Sequence, residues 1–199
     1  MSGFDTLDLW RTGAALAAAA VLVAVGSIFW RVLQRRRARL ARRTRIAAIS
    51  IDFVRDVLLP DGVGGQLHLD YLLWTPLGLL VLDLREVRGH VFGGDHLAEW
   101  TVMDGVRRIT FPNPQETLYD RLAALRALAP EFQVDGRIVF ADLAELPKLM
   151  PRFTIRESSL TTDFVMGDRE LAARAVGDLK PAWERVKATL QPSPVPRNL

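Results

Sequence analysis

The sequence predicts an α/β fold: a mixed sheet flanked by helices, preceded by one N-terminal transmembrane helix. Three observations carry this expectation. Residues 12–30 form an uncharged apolar run. Residues 46–111 alternate short apolar, β-branched stretches with turn clusters. From residue 115 onward, helical leucine spacing gives way to a short apolar strand and then to further helical sequence. Strands first, then helices alternating with strands, describe a sheet with helices packed on it.

The N-terminal elements follow from charge. Residues 1–11 read as a short extracytoplasmic N-terminus. Residues 12–30, TGAALAAAAVLVAVGSIFW, are 19 residues without a charge. A helix of that length spans about 28 Å, close to the ~30 Å hydrocarbon core. Trp10 and Trp30 bracket the run as interfacial aromatics do. A cleaved signal peptide needs a basic start, and MSGFDTLDLW offers Asp5 and Asp8 instead. Residues 31–45 are an Arg-rich juxtamembrane segment with Arg31, Arg35, Arg36, Arg37, Arg39, Arg42, Arg43 and Arg45 and no acid. The positive-inside rule makes these arginines the topology determinant. The expectation is a single-pass protein of the inner membrane, with its N-terminus outside and its C-terminal domain in the cytoplasm. The partner is then membrane lipid, held through residues 12–30 and the arginines. A DNA-binding arm is the competing reading of the same arginines.

Composition bounds the rest. The chain has 199 residues and no Cys, which excludes disulfides, thiolate metal sites and cysteine nucleophiles. Three His make a multi-histidine zinc site a poor reading. The net charge of +3 hides an asymmetry. Residues 46–199 carry 17 Lys and Arg against 21 Asp and Glu, a net −4, so the positive charge sits beside the apolar run.

Within residues 46–190, IAAISIDFVRDVLL (46–59) reads as a helix end running into a strand. Pro60-Asp61-Gly62 and Val63-Gly64-Gly65 form a turn cluster that lacks the Lys-Ser/Thr of a phosphate loop. QLHLDYLLW (66–74) is a strand, Thr75-Pro76-Leu77-Gly78 a turn, and LLVLDLREV (79–87) a nearly continuous apolar strand, hence central. Residues 98–111 form a hairpin around Asp104-Gly105. Residues 115–129 are helical, with Leu118, Leu122, Leu125 and Leu128 on one stripe. Residues 136–141 are a short buried strand, and 142–150 a short helix or turn. Residues 169–190 are helical with a break at Pro181 and Asp168 as N-cap. Residues 191–199 read as a Pro-rich disordered tail.

The chemistry concentrates in 66–89. Asp70 interrupts one apolar strand and Asp83 the next, and a charge inside such a strand is costly unless paired. Alternation puts Asp83 and Arg85 on one face. A two-residue turn at Pro76-Leu77 sets Thr75 opposite Gly78 and Asp70 opposite Asp83, with Cβ atoms about 5 Å apart. Carboxylates that close suit a divalent cation such as Mg²⁺ or Mn²⁺. A turn with Gly78 as a bulge would shift the register and send the two Asp to opposite faces. The plain alternative is a local Asp83–Arg85 ion pair with Asp70 at a strand edge. His68 shares the face of Asp70. His90 and His96 flank a glycine-rich loop, and Ser158-Ser159 has no evident His and Asp partners.

The stretch LDYLLWTPLGLLVLDLREVRG, carrying Asp70, Gly78 and Asp83, resembles the nuclease-related domain (NERD) family. That family lies within the restriction-endonuclease-like PD-(D/E)XK superfamily. Gly89, Trp100 and Asn113-Pro114 follow in the expected order, as do VRDVLLPDGVGG (54–65) and GRIVFADLAELP (136–147). The resemblance covers roughly residues 46–150 and implies a restriction-endonuclease-like sheet. It implies Asp70, Asp83 and the carbonyl of Leu84 as metal ligands. It also implies Asp70, Asp83 and Arg85 as the catalytic set of a metal-dependent phosphodiester hydrolase.

Three departures point to a degenerate member. Arg85 stands where the family has lysine, and Arg does not deprotonate. Residues 31–51 hold no acid where the family's first helix carries a Glu. Thr117 falls where a Gln is usual, with Gln115 nearby. The expected function is therefore a nucleic-acid or protein binding module without catalysis, needing no cofactor. The alternative is an active DNA nuclease using Mg²⁺ or Mn²⁺. Arg88, Arg107 and Arg108 are the candidate phosphate-binding residues; a solvated face balanced by Glu86 and Asp104 is their plain reading. The sequence names no protein partner.

Overall fold

The computed structural model describes residues 6–194; the side chains of residues 6–21, 24, 31 and 35 lie outside that description. Outside the described residues fall most side chains of the apolar run, those of Arg31 and Arg35, and the expected tail from residue 195 on. The chain divides into two compact units, Met1–Thr44 and Arg45–Leu199.

The first unit is helical. Helix α1 runs Thr6–Ile49, its last residues belonging to the second unit. Leu22, Val23, Ile28, Phe29 and Trp30 are exposed on it, as are Arg36, Arg37, Arg39 and Arg43. Among the described residues no helix is long and apolar enough to cross a membrane. The expected transmembrane helix at 12–30 is corrected accordingly. Seven of its 19 residues are Ala, the smallest apolar side chain, and arginines follow it within the same helix.

The second unit is a mixed α/β domain with two sheets. Strands β1 (Asp52–Pro60), β2 (Gln66–Thr75) and β3 (Gly78–Arg85) form an antiparallel meander. Strands β4 (Gly89–Phe92), β5 (Glu99–Asp104) and β6 (Arg107–Pro112) form a second, smaller meander. Helix α2 (Pro114–Leu128) then crosses over to β7 (Val134–Phe140), which pairs parallel to β3. Strand β8 (Ala144–Glu145) joins β4, and β9 (Thr154–Arg156) joins β7. Helices α3 (Leu160–Asp163), α4 (Arg169–Ala175) and α5 (Lys180–Thr189) follow, and β10 (Gln191–Pro192) closes the edge beside β1. The larger sheet runs β10-β1-β2-β3-β7-β9 and the smaller β6-β5-β4-β8.

The apolar run of β3 is explained by burial on both faces. Leu79 and Val81 pack with Leu118, Leu122 and Leu125 of α2. Leu80 and Leu82 pack with Ile46, Ile49, Val139 and Leu160. The β2–β3 hairpin takes the two-residue register, Thr75 opposite Gly78 and Tyr71 opposite Leu82. Gly78 makes this turn possible. Its φ is +125°, and a Cβ there would lie 2.2 Å from the Gln133 carbonyl oxygen.

Several expectations shift by a turn. Residues 142–150 form no helix; Ala144–Glu145 pairs with β4 as a short strand instead. The helical break falls before Pro181, which sits in the first turn of α5 where its missing N–H is harmless. Asp168 caps α4 as expected, accepting from the N–H groups of Glu170 and Leu171. The tail is ordered at its start, because Gln191 and Pro192 pair with Leu58 and Val57.

Gly78→Ala is expected to cost about 3 kcal/mol, combining left-handed strain with the Gln133 clash. Gly105→Ala, at φ +60° with open space around it, is expected to cost about 1 kcal/mol. Equal losses for the two variants in denaturant melts would refute the role given to Gln133.

Candidate functional site

Asp83 shares the α2-facing side of β3 with Leu79 and Val81, because side chains alternate along a strand. It is 1% exposed. One step beyond the Tyr71–Leu82 pair, the hairpin register brings Asp70 of β2 beside it. Asp70 is 7% exposed, and its Oδ2 accepts the Leu84 N–H at 2.7 Å. His68 Nδ1 lies 3.4 Å from Asp70 Oδ1. Burial, and then the charge of Asp83, push the Asp70 carboxyl up to about 7.

The cations come from two elements. Arg85, two residues along β3, puts Nη2 2.7 Å from Asp83 Oδ2. Arg121 of α2 puts Nη1 3.0 Å from the same oxygen. Arg121 is 2% exposed. The Arg85 guanidinium lies over the Phe111 ring of β6, 5.7 Å from its centroid, which covers the site from the smaller sheet. Among the described residues, Asp83 Oδ1, Arg85 Nε and Arg121 Nε have no hydrogen-bond partner. A protonated Asp70 offers a donor to Asp83, and Oδ1 is the oxygen of that carboxylate left to accept it.

The two carboxylates lie side by side, and the cations that meet Asp83 are the guanidiniums of Arg85 and Arg121. Arg121 is the residue that sequence reasoning missed. Its signal was present: it falls three residues after Leu118 and four before Leu125, inside the buried stripe of α2. A charge in such a stripe calls for a buried counter-charge.

The residues fit a divalent metal poorly. One oxygen of Asp83 is shared by two guanidiniums, and one oxygen of Asp70 is taken by an amide. Leu84 presents its N–H to Asp70. Among the described residues no group of three His, Asp or Glu could hold a metal ion.

The remaining candidates divide. Arg88, Arg107 and Arg108 cluster at one end of the β5–β6 hairpin, with Arg88 Nε 3.8 Å from Asp104 Oδ1. Arg107 and Arg108 are adjacent on β6, so their side chains leave on opposite faces. Asn113 caps α2, its Oδ1 accepting the Gln115 N–H at 3.0 Å. Gln115 is buried and donates to Asp95 Oδ1 at 2.7 Å and to the Arg152 carbonyl at 2.9 Å. Asn113-Pro114-Gln115 thus ties a loop to a helix start.

The family model described as the nuclease-related domain matches residues 36–141. No curated protein and no solved structure matches the chain.

The pH dependence has a definite sign. The folded protein keeps the Asp70 proton up to about pH 7, whereas the unfolded chain releases it near the ordinary 3.8. Stability is expected to fall as pH rises from 4 to 7 and to level off above. Asp70→Asn cannot ionise, so between pH 4 and 8 it should gain roughly 1–3 kcal/mol relative to wild type. Parallel unfolding curves for the two proteins across that range would contradict this. Arg121→Leu is expected to lose about 3 kcal/mol, since it strips one counter-charge from a buried carboxylate; a loss within 0.5 kcal/mol, roughly that of a surface change, would contradict it.

Proposed function

The chain belongs to the nuclease-related domain family, and from that premise we propose that it is a catalytically silent member that binds nucleic acid. One observation carries the reading: the Asp83 carboxylate oxygen held by both Arg85 and Arg121 in a site closed to solvent. Catalytic relatives use that acid to hold a cation that activates water. Here two guanidiniums supply the positive charge, and neither releases a proton at any working pH. Arg88, Arg107 and Arg108 are the phosphate contacts of the binding module.

The exposed arginines of α1 follow exposed apolar side chains on the same helix. That sequence of groups suits the surface of an anionic bilayer, with each arginine near the surface contributing about 1 kcal/mol. The module then works beside anionic lipid headgroups.

The second reading is a divalent-metal-dependent phosphodiester hydrolase using Asp70, Asp83 and Arg85. One observation favours it: the Asp70 carboxyl, pushed up to about 7, lies in the range of a general base. Its burial and the occupied Asp83 weigh against it.

Two experiments test the proposal. Full-length protein incubated with labelled single- and double-stranded DNA and Mg²⁺ or Mn²⁺ should cleave neither above an Asp83→Ala preparation. Cleavage lost in that variant would establish the hydrolase instead. In co-sedimentation, phosphatidylglycerol vesicles should retain the protein at low salt and release it as salt rises. Equal retention by neutral phosphatidylcholine vesicles would sink the electrostatic account.

A further inference from the structure

The smaller sheet has one buried face and one free face. Val91, Trp100 and Val102 point inward and are buried. Their neighbours point outward. The register sets His90 opposite Met103 and Met103 opposite Arg108. It likewise sets Phe92 opposite Thr101 and Thr101 opposite Thr110. Residues directly opposite share a face, so these six side chains form two rows on one surface. Phe92 is 58% exposed, and His90, Arg108 and Thr110 are exposed as well. The Thr101 and Thr110 hydroxyls lie 3.3 Å apart.

A water-facing sheet face has no need of a phenyl ring. Here the ring stands in the row beside an imidazole, about 7 Å along the same strand. Positive charge frames the pair. Arg108, on this face, makes no ion pair among the described residues, and Arg88 meets the exposed Asp104, 3.8 Å away. Of the acids near the face, Glu145 is tied to His90 at 3.0 Å and Glu99 lies at the far end opposite Pro112. Flat rings flanked by guanidiniums and hydroxyls match unpaired bases on a phosphate backbone, because every base has a face to stack and a phosphate to neutralise. A duplex keeps its bases stacked inside and offers the rings nothing.

We propose that the outward face of this sheet binds single-stranded nucleic acid, with Phe92 and His90 stacking on bases and Arg108 contacting phosphate. The inference rests on the binding reading above and names its ligand and surface.

The test is fluorescence anisotropy of labelled oligo-dT and oligo-rU on the full-length protein in EDTA, with a duplex of equal length alongside. Single strands should bind more tightly than duplex. Phe92→Ala should weaken binding about tenfold, the loss of one stacked base. Arg108→Ala should lower the salt slope by roughly 0.7, one phosphate contact on a single strand. An abasic oligonucleotide should bind wild type weakly and should not distinguish it from Phe92→Ala, which separates stacking from charge. Tyr119→Ala, an exposed ring elsewhere, should change nothing. Equal binding of abasic and normal strands, or an unaffected Phe92→Ala, would overturn the surface and leave catalytic silence standing. Asp83-dependent cleavage would overturn catalytic silence and leave the surface standing.

Discussion

The organisation of the domain turns on one buried carboxylate. Asp83 lies on a strand covered on both faces, where an unpaired charge would be prohibitive. The fold answers with two guanidiniums on one oxygen. Each comes from a different place: Arg85 from the same strand, Arg121 from the helix that crosses over it. Removing one guanidinium leaves Asp83 with a single counter-charge; removing both would leave a buried charge unpaired, which typically costs about 3–5 kcal/mol. The ion cluster therefore joins α2 to the sheet alongside the packing of Leu118, Leu122 and Leu125. The left-handed Gly78 turn belongs to the same constraint, since it sets the register that brings Asp70 beside Asp83.

What the sequence made legible was local. Alternation put Asp83 and Arg85 on one face, and a two-residue turn put Asp70 opposite Asp83; both needed only neighbours along a strand or across a hairpin. The smaller hairpin, the α2 stripe and the Asp168 cap were readable for the same reason. Arg121 was not, because its partner lies 38 positions earlier in the chain and only the packed fold brings them together. Periodicity marks the position as inward, as it does the leucines of the same stripe, but does not name the partner. The pairing of Gln191 and Pro192 with β1 is equally long-range, and a Pro-rich tail carries no local strand signal. The transmembrane expectation failed differently. It rested on the absence of charge over 12–30, whereas among the described residues no helix is long and apolar enough to cross a membrane.

An arginine at position 85 acts differently from a lysine in more than size. A lysine ammonium is a compact charge whose pKa moves readily on burial. A guanidinium is a permanent charge with a planar fork that fits a carboxylate. Beside Asp83, the fork gives a short contact at 2.7 Å and leaves that oxygen little freedom to coordinate anything else. Arg121 completes the effect from the other side. With both carboxylates ionised the four groups are neutral. With Asp70 protonated they carry one positive charge, and bringing a dication into that field is unfavourable.

Closing the site and exposing the face proposed to bind nucleic acid are two consequences of one strand. Along β6, Phe111 points inward and covers Arg85, while Arg108 and Thr110 point outward into solvent. Side chains alternate, so a strand that seals the carboxylates necessarily presents its other residues on the far side. In a nuclease, the acids that hold the cation and the surface that holds the strand must meet at one place. Here Phe111 lies between them. On the proposed reading, a strand of nucleic acid resting on Phe92 and Arg108 would be kept from Asp83 by the smaller sheet.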